Sequence, residues 1–145
     1  MLLAGPRPAL SGFAFGLASW LVAIPWIVPT LVTYGAVAPP LAAALFVLLA
    51  AYLALFTAAF AALAAPLWRR PDRGAVALVA TPALWVALEW LRTYLLGGFS
   101  WNLAGYAWER VLGALLASAW IGAYGVSFLI VFANVGAALA VQKRR

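Results

Sequence analysis

The chain has 145 residues, of which 68% are hydrophobic and 8% are charged, and it carries a formal net charge of +6. A soluble domain of this length exposes far more polar surface, so the composition excludes a soluble protein and predicts an integral membrane protein. The sequence contains neither cysteine nor histidine. This excludes disulfides, thiolate metal sites and cysteine nucleophiles, and it removes the commonest general base.

Four apolar segments are long enough to cross a bilayer, which predicts an all-α membrane protein. The chain is expected to form a single transmembrane domain, residues 1–145, folded as a four-helix bundle. The predicted spans cover residues 10–33, 41–67, 75–96 and 111–141. At 1.5 Å per residue, each can cross a hydrocarbon core of about 30 Å. The short apolar start of the chain leaves no room for a cleavable signal peptide, so we expect none.

Positive charge flanks the spans unevenly, which indicates membrane orientation rather than nucleic-acid binding. The connections 34–40 and 97–110 carry only Arg110, which Glu109 offsets. Because basic residues accumulate on the cytoplasmic side, both termini are predicted to be cytoplasmic and these two connections to lie outside. The basic residues on the predicted cytoplasmic side are Arg7, Arg69, Arg70, Arg73, Lys143, Arg144 and Arg145.

Prolines inside two spans predict bent helices. Pro25 and Pro29 stand four residues apart in the first span, and Pro82 lies well inside the third. Each removes one backbone hydrogen bond from a helix interior. We therefore expect a kink in both spans.

Small and polar residues in the first and fourth spans predict how helices pack. Gly12 with Gly16, and Ser118 with Gly122, are pairs of small residues spaced four apart, as at close helix contacts. Asn134 lies at hydrocarbon depth in the fourth span. An amide there favours an interhelical hydrogen bond over a substrate contact.

The third span carries a polar stripe in the stretch LWVALEWLRTY. Glu89 and Arg92 are three residues apart and project from nearly the same face, which Thr81, Trp85 and Thr93 share. Ionised side chains in a span are costly unless they are paired or hydrated. The stripe therefore indicates either charges that tie the bundle together or a direct substrate contact, and the structural role is favoured.

The connection 97–110, GGFSWNLAGYAWER, is called here the glycine-aromatic loop. Gly97 and Gly98 follow the third span directly, where a left-handed helix stop is expected. The loop is consistent with an interfacial aromatic belt, and equally with a lipid-binding site built from backbone and amide groups. Its candidate site residues are Phe99, Trp101, Asn102 and Tyr106, and Trp108 adds a further ring.

Three stretches in order carry a family resemblance: PALWVALEWLR, then GGFSWNLAGYAWE, then IGAYGVSFLIVFANVGAALA. Together they resemble the membrane domain of bacterial apolipoprotein N-acyltransferases, and the likeness extends over nearly the whole chain. Ser100 departs from the pattern, since the family usually has proline there. The departure loosens the turn without moving the flanking rings.

The resemblance implies an inner-membrane enzyme that acylates the amino group of the lipid-modified N-terminal cysteine of apolipoproteins. It implies a phospholipid acyl donor, a thioester acyl-enzyme, and eight membrane helices that carry a periplasmic nitrilase-like domain. This chain matches the third to sixth helices. Trp101, Asn102 and Tyr106 would then help shape the lipid site, and Glu89 and Arg92 would brace the helix beneath it.

The catalytic Glu, Lys and Cys of such enzymes belong to the nitrilase-like domain, and none is carried over to this chain. The chain has no cysteine, and its one lysine is Lys143. Ser100 with Glu109 makes a weak substitute, because nucleophilic catalysis needs an activated nucleophile beside its base. The chain alone is expected to be inactive, with no cofactor and no metal site.

Two classes of function remain open at this stage. In the first, the chain is the membrane portion of the acyltransferase, as a fragment or as one subunit of a split enzyme. Its partners would be phospholipid and lipoprotein substrates and a nitrilase-like catalytic domain or subunit. In the second, it is a stand-alone, non-catalytic membrane protein, such as a scaffold, a lipid-binding protein or a transporter-like subunit. A truncated reading frame without function is a third possibility.

Overall fold

The computed structural model describes residues 6–69 and 74–142, and all regular structure in these two ranges is helical. Three helices are long and apolar enough to cross a membrane, and a fourth span is obtained if α1 and α2 are counted together. The basic residues Arg70, Arg73, Lys143, Arg144 and Arg145, which carry much of the orientation argument, lie outside the described residues. The helices are α1 (Pro8–Ala23), α2 (Ile27–Thr33), α3 (Pro39–Trp68), α4 (Gly74–Tyr94) and α5 (Leu112–Gln142).

The bend predicted in the first span is confirmed. The axes of α1 and α2 differ by 52°, and the break between them contains Pro25. Proline cannot donate to the preceding turn, so the helix ends there and starts again. Pro29 falls in the first turn of α2. Backbone N–H groups there have no acceptor within the helix, so proline removes no helical hydrogen bond. Pro82 is buried inside α4, and a bend at that position stays a prediction.

The chain divides into two compact units, Met1–Ala62 and Leu63–Arg145. In the first unit, α1 packs against α3 through its two glycines. A Cβ built on Gly12 would lie 2.6 Å from the Cβ of Ala61, and one on Gly16 would lie 2.8 Å from the Cβ of Thr57. Real Cβ atoms do not approach so closely. The close helix packing predicted for Gly12 and Gly16 is therefore confirmed.

In the second unit, α4 packs on α5 and the end of α3 joins them. The indole N–H of Trp68 donates to Thr81 Oγ1 at 3.2 Å. The hydroxyl of Tyr124 in α5 donates to Thr93 Oγ1 in α4 at 2.8 Å. Because Thr81 is buried and Thr93 is half-buried, these two residues of the polar stripe of α4 face neighbouring helices.

The small-residue pair predicted for α5 is wrong. Gly122 is exposed, has φ 66° and ψ 179°, and would have nothing within 4 Å of an added Cβ. It interrupts α5 instead of lining a helix contact. Asn134 also departs from the expected interhelical bond, since its Nδ2 donates to the carbonyl of Ile130 in its own helix at 3.0 Å. A short polar side chain can satisfy itself locally in this way.

Candidate functional site

The left-handed stop predicted after the third span is present. Helix α4 ends at Tyr94 and passes into a 3-10 turn, Leu95–Gly97. Gly97 and Gly98 have φ values of 88° and 78°, and a Cβ on Gly98 would collide with the carbonyl of Thr93. The left-handed backbone begins one residue earlier, at Leu96 with φ 54° and ψ 43°, and the two glycines continue the positive φ values at low cost. The chain therefore turns back sharply, and the glycine-aromatic loop begins over the last turns of α4.

Two charged side chains of α4 hold the loop from below. Ala104 N–H donates to Glu89 Oε1 at 2.7 Å, and Arg92 Nη1 donates to the carbonyl of Trp101 at 3.1 Å. Glu89 and Arg92 are only 4% and 3% exposed. A hydrogen bond donated by a guanidinium is roughly twice as strong as a neutral one. The two side chains therefore fix the backbone of the loop at two points three residues apart.

Arg92 also organises the start of the loop. Its carbonyl accepts a hydrogen bond from Phe99 N–H at 3.0 Å, and its guanidinium carbon lies 6.0 Å from the centroid of the Phe99 ring. That distance is within the range of a cation–π interaction. The ring of Phe99 is in turn 5.5 Å from that of Trp101. Phe99, predicted as a lipid-contacting residue, lies buried between Arg92 and Trp101.

Helix α5 holds the loop from the other side. Gly105 N–H donates to Ser127 Oγ at 2.8 Å. A Cβ on Gly105 would lie 2.5 Å from the carbonyl oxygen of Ala123, so only glycine permits this close approach of two backbones. The sequence reasoning missed Ser127. A serine in an apolar span usually bonds to its own helix, and no local pattern marked this one as different.

Glu89 has one oxygen that the loop does not use. Its Oε2 is buried and has no hydrogen-bond partner among the residues that the structure describes. A buried carboxylate oxygen without a donor is unfavourable in an apolar environment. Glu89 therefore retains an acceptor beneath the loop that the fold itself does not satisfy.

The outer side of the loop presents the other predicted residues. Trp101 is 58% exposed and Tyr106 is 46% exposed, and Asn102, also exposed, adopts a left-handed backbone with φ 57°. Asparagine tolerates that conformation better than most residues. The structure thus brings Trp101, Asn102 and Tyr106 to the surface and leaves Phe99 inside.

A cavity of about 270 Å³ opens between the loop and the start of α5. The loop forms its wall through the 3-10 turn Ala104–Trp108 and Glu109. Apolar side chains and two aromatic rings make up most of the lining, so the cavity suits an apolar group near one carboxylate. Side chains that line it include Tyr106, Trp108, Glu109, Leu115, Ser118 and Val126.

The described residues offer little for covalent or metal chemistry. No group of three or more Asp, Glu, His or Cys side chains within residues 6–69 and 74–142 could hold a metal ion. Ser100 and Glu109 are both exposed.

Fold and site together define a helical, multi-pass membrane protein with an aromatic loop fixed over its last two long helices. The family model described as the apolipoprotein N-acyltransferase N-terminal domain matches residues 2–136. The chain belongs to this family.

Individual relatives agree with the family match. The chain is 38% identical to the apolipoprotein N-acyltransferase of Geobacter metallireducens over 131 residues, which cover 90% of the chain and 25% of that protein. It is 39% identical to the protein of the same name from Azotobacter vinelandii over 147 residues, covering 98% of the chain and 27% of the relative. The relative from Shewanella oneidensis is 37% identical over 139 residues, covering 90% of the chain and 25% of the relative. The chain thus spans about a quarter of the length of these relatives.

Proposed function

We propose that the chain forms the membrane portion of an apolipoprotein N-acyltransferase in a bacterial inner membrane. It would span the membrane four times with both termini in the cytoplasm. The enzyme would transfer an acyl group from a phospholipid to the amino group of the lipid-modified N-terminal cysteine of a lipoprotein. The family match over residues 2–136 and the names of the relatives support this assignment.

The reaction itself would belong to a nitrilase-like catalytic domain or subunit. Thioester chemistry requires a cysteine, and this sequence contains none. Its one lysine, Lys143, follows Gln142 in the sequence, outside the described residues and on the side predicted to be cytoplasmic. The membrane portion would therefore contribute substrate binding and positioning, while the nucleophile and base come from the catalytic part.

The glycine-aromatic loop would be the surface that meets the lipid substrates. The observation that carries this role is the three-point attachment of its backbone, to Arg92, Glu89 and Ser127, with Trp101 and Tyr106 left exposed above. A loop that only marks the interface does not need a fixed backbone. A binding surface gains from one, because less freedom is lost when the ligand binds.

A chimera tests the proposal directly. Residues 2–136 would replace the aligned segment of the Geobacter metallireducens relative, in cells depleted of their own N-acyltransferase. Mass spectrometry of a lipoprotein N-terminal peptide then reports N-acylation. We expect the chimera to restore N-acylation, and we expect Trp101→Ala to raise the KM for phospholipid about fivefold to tenfold. A lost aromatic contact costs about 1.0–1.4 kcal/mol, which corresponds to such a factor.

Trp90→Ala is the matched control, since Trp90 is a similarly exposed tryptophan, on α4. We expect it to leave the KM unchanged. A chimera that inserts into the membrane but yields no N-acylated lipoprotein would contradict the proposed function. Equal effects of Trp101→Ala and Trp90→Ala on the KM would show that the loop is an interfacial aromatic belt and not a lipid-binding site. That result would leave the assignment of the chain to an acyltransferase unaffected.

A further inference from the structure

Helix α5 is longer than the hydrocarbon core of a bilayer is thick. Its 31 residues extend about 46 Å at 1.5 Å per residue, whereas the hydrocarbon core is about 30 Å thick. To stay within the core, a straight helix of that length would need a tilt of about 50°, beyond the range of about 0–40° seen for membrane helices; otherwise its apolar end would extend into the headgroup region. The break at Gly122 supplies another solution.

The bend at Gly122 is built into the sequence by two glycines. Gly122, with φ 66° and ψ 179°, occupies a backbone region that is essentially restricted to glycine. A Cβ on Gly125 would lie 2.5 Å from the Cβ of Ile121, because the bend folds that side chain back over position 125. The bend therefore requires glycine at position 122 for its backbone conformation, and at position 125 to leave room for the side chain of Ile121.

The two parts of α5 differ in what they contact. Residues 123–142 extend about 30 Å, which is enough to span the core alone. They contain the three buried residues of α5, Val126, Ser127 and Val135. Residues 112–121 contain none of them, and Trp120 is 92% exposed.

We propose that residues 112–121 form an interfacial helix, which lies along the boundary between headgroups and acyl chains on the loop side and does not extend the span. Its partner is the lipid surface itself. The segment LGALLASAWI has no charged side chain, so it favours lipid over water. Glu109 and Arg110 stand three and two residues before it and hold its start at headgroup level.

The interfacial helix also bears on the cavity beside the loop. It provides Ala114, Leu115 and Ser118 to the cavity wall, opposite Tyr106 and Trp108. The angle at Gly122 therefore sets the width of that cavity. This inference concerns the placement of α5 in a bilayer, so it stands apart from the acyltransferase activity and can be tested without it.

Depth measurements with single spin labels test the placement. Because the chain has no cysteine, each introduced cysteine gives one labelled site. Two matched series on exposed positions at four-residue spacing would be compared in dioleoylphosphatidylcholine vesicles, using collisions with oxygen and a water-soluble nickel chelate. The first series is Leu112→Cys, Leu116→Cys and Trp120→Cys, and the second is Leu129→Cys, Ala133→Cys and Ala137→Cys.

We expect the second series to change in depth by about 10–12 Å over its eight residues, and the first to change by less than about 4 Å. Equal slopes in the two series would overturn the proposal, since residues 112–121 would then continue the span. The labelled chains of both series keep all the glycines of α5. The result therefore does not depend on whether a glycine variant folds.

Gly122→Ala then tests the cause. Alanine disfavours φ 66°, so we expect α5 to straighten and the label at position 112 to move away from the interface. Gly136→Ala is the control, because its Cβ would meet only Leu78 at 3.7 Å, an ordinary contact. An unchanged depth profile in Gly122→Ala would contradict the role given to this glycine.

Discussion

Glu89 shows how a single side chain can link a membrane helix to its loop. Glu89 is only 4% exposed, and its Oε1 accepts a hydrogen bond from Ala104 N–H at 2.7 Å. We expect Glu89→Ala to lower the free energy of unfolding by about 2 kcal/mol, as for the loss of a charge-assisted hydrogen bond. Thermal unfolding in detergent measures this change. Limited proteolysis should show faster cleavage within the glycine-aromatic loop.

Two further variants separate the hydrogen bond from the charge. Glu89→Gln keeps an acceptor oxygen for Ala104 N–H, so the free energy of unfolding should change by less than about 1 kcal/mol. Glu109→Gln removes an equal charge from an exposed loop position and should have little effect. Proteolysis of Glu89→Ala at the rate of the unmutated chain would show that Glu89 does not hold the loop.

Residue-level predictions succeeded where the chemistry is local. Gly97 and Gly98 have the positive φ values that the sequence predicts for a helix stop, although the first left-handed residue is Leu96, which no local pattern marked. The partners of Glu89 and Arg92 could not be predicted. They are backbone groups of a loop whose path depends on tertiary contacts, including the one between Gly105 and Ser127. The site roles of Trp101, Asn102 and Tyr106 stay predictions.

At the scale of whole helices, the contact between α1 and α3 depends on the absence of side chains at Gly12 and Gly16. A methyl group on Gly12 would meet Ala61 Cβ at 2.6 Å and the Thr57 carbonyl oxygen at 2.8 Å. Neither atom can rotate away, so the helices must separate. We expect Gly12→Ala to destabilise the chain by about 1–3 kcal/mol, the usual cost of overpacking. Thermal unfolding in detergent gives the value.

Gly113→Ala provides the matched control for that substitution. Gly113 also lies in a helix, but an added Cβ there has nothing within 4 Å. Alanine has the higher helix propensity, so this variant should be as stable as the unmutated chain or slightly more stable. Equal destabilisation by both substitutions would show that the α1–α3 contact is not the cause.

Helix positions were predicted better than helix interruptions. The four apolar segments lie within two or three residues of the helices found, because length and hydropathy define a span. Pro25 predicted a bend correctly, since proline removes a backbone donor whatever surrounds it. Glycine gives no such certainty. The same residue type packs helices at Gly12 and breaks one at Gly122, and only tertiary structure distinguishes the two.

At the scale of the whole molecule, composition identified a membrane protein and the motifs identified its family, because both signals are present in the sequence itself. Topology is a different matter. The positive-inside argument depends on Arg7, Arg69 and basic residues outside the described ranges. The number of crossings depends on whether the bent pair α1–α2 spans the bilayer or returns to the side it entered from.

Three single-cysteine variants decide both questions. Pro6→Cys, Gly74→Cys and Ser100→Cys place a thiol before α1, at the start of α4 and in the glycine-aromatic loop, in a chain without other cysteines. Gly74 has nothing within 4 Å of an added Cβ. If the chain has four spans and its positive charges face the cytoplasm, only Ser100→Cys is accessible from outside the inner membrane. In cells with a permeable outer membrane and an intact inner membrane, a membrane-impermeant maleimide should therefore label only that variant. Lysis should expose the other two.

Each departure from that pattern has a separate meaning. Labelling of Gly74→Cys but not Ser100→Cys in intact cells would reverse the orientation, and it would place the aromatic loop on the cytoplasmic side, away from a periplasmic catalytic domain. Labelling of Pro6→Cys together with Ser100→Cys would leave the loop outside but make α1–α2 a re-entrant pair, so that the chain crosses three times. The 52° bend and the apolar length of the pair allow either path, but Arg7 beside α1 favours a cytoplasmic start and therefore a full crossing.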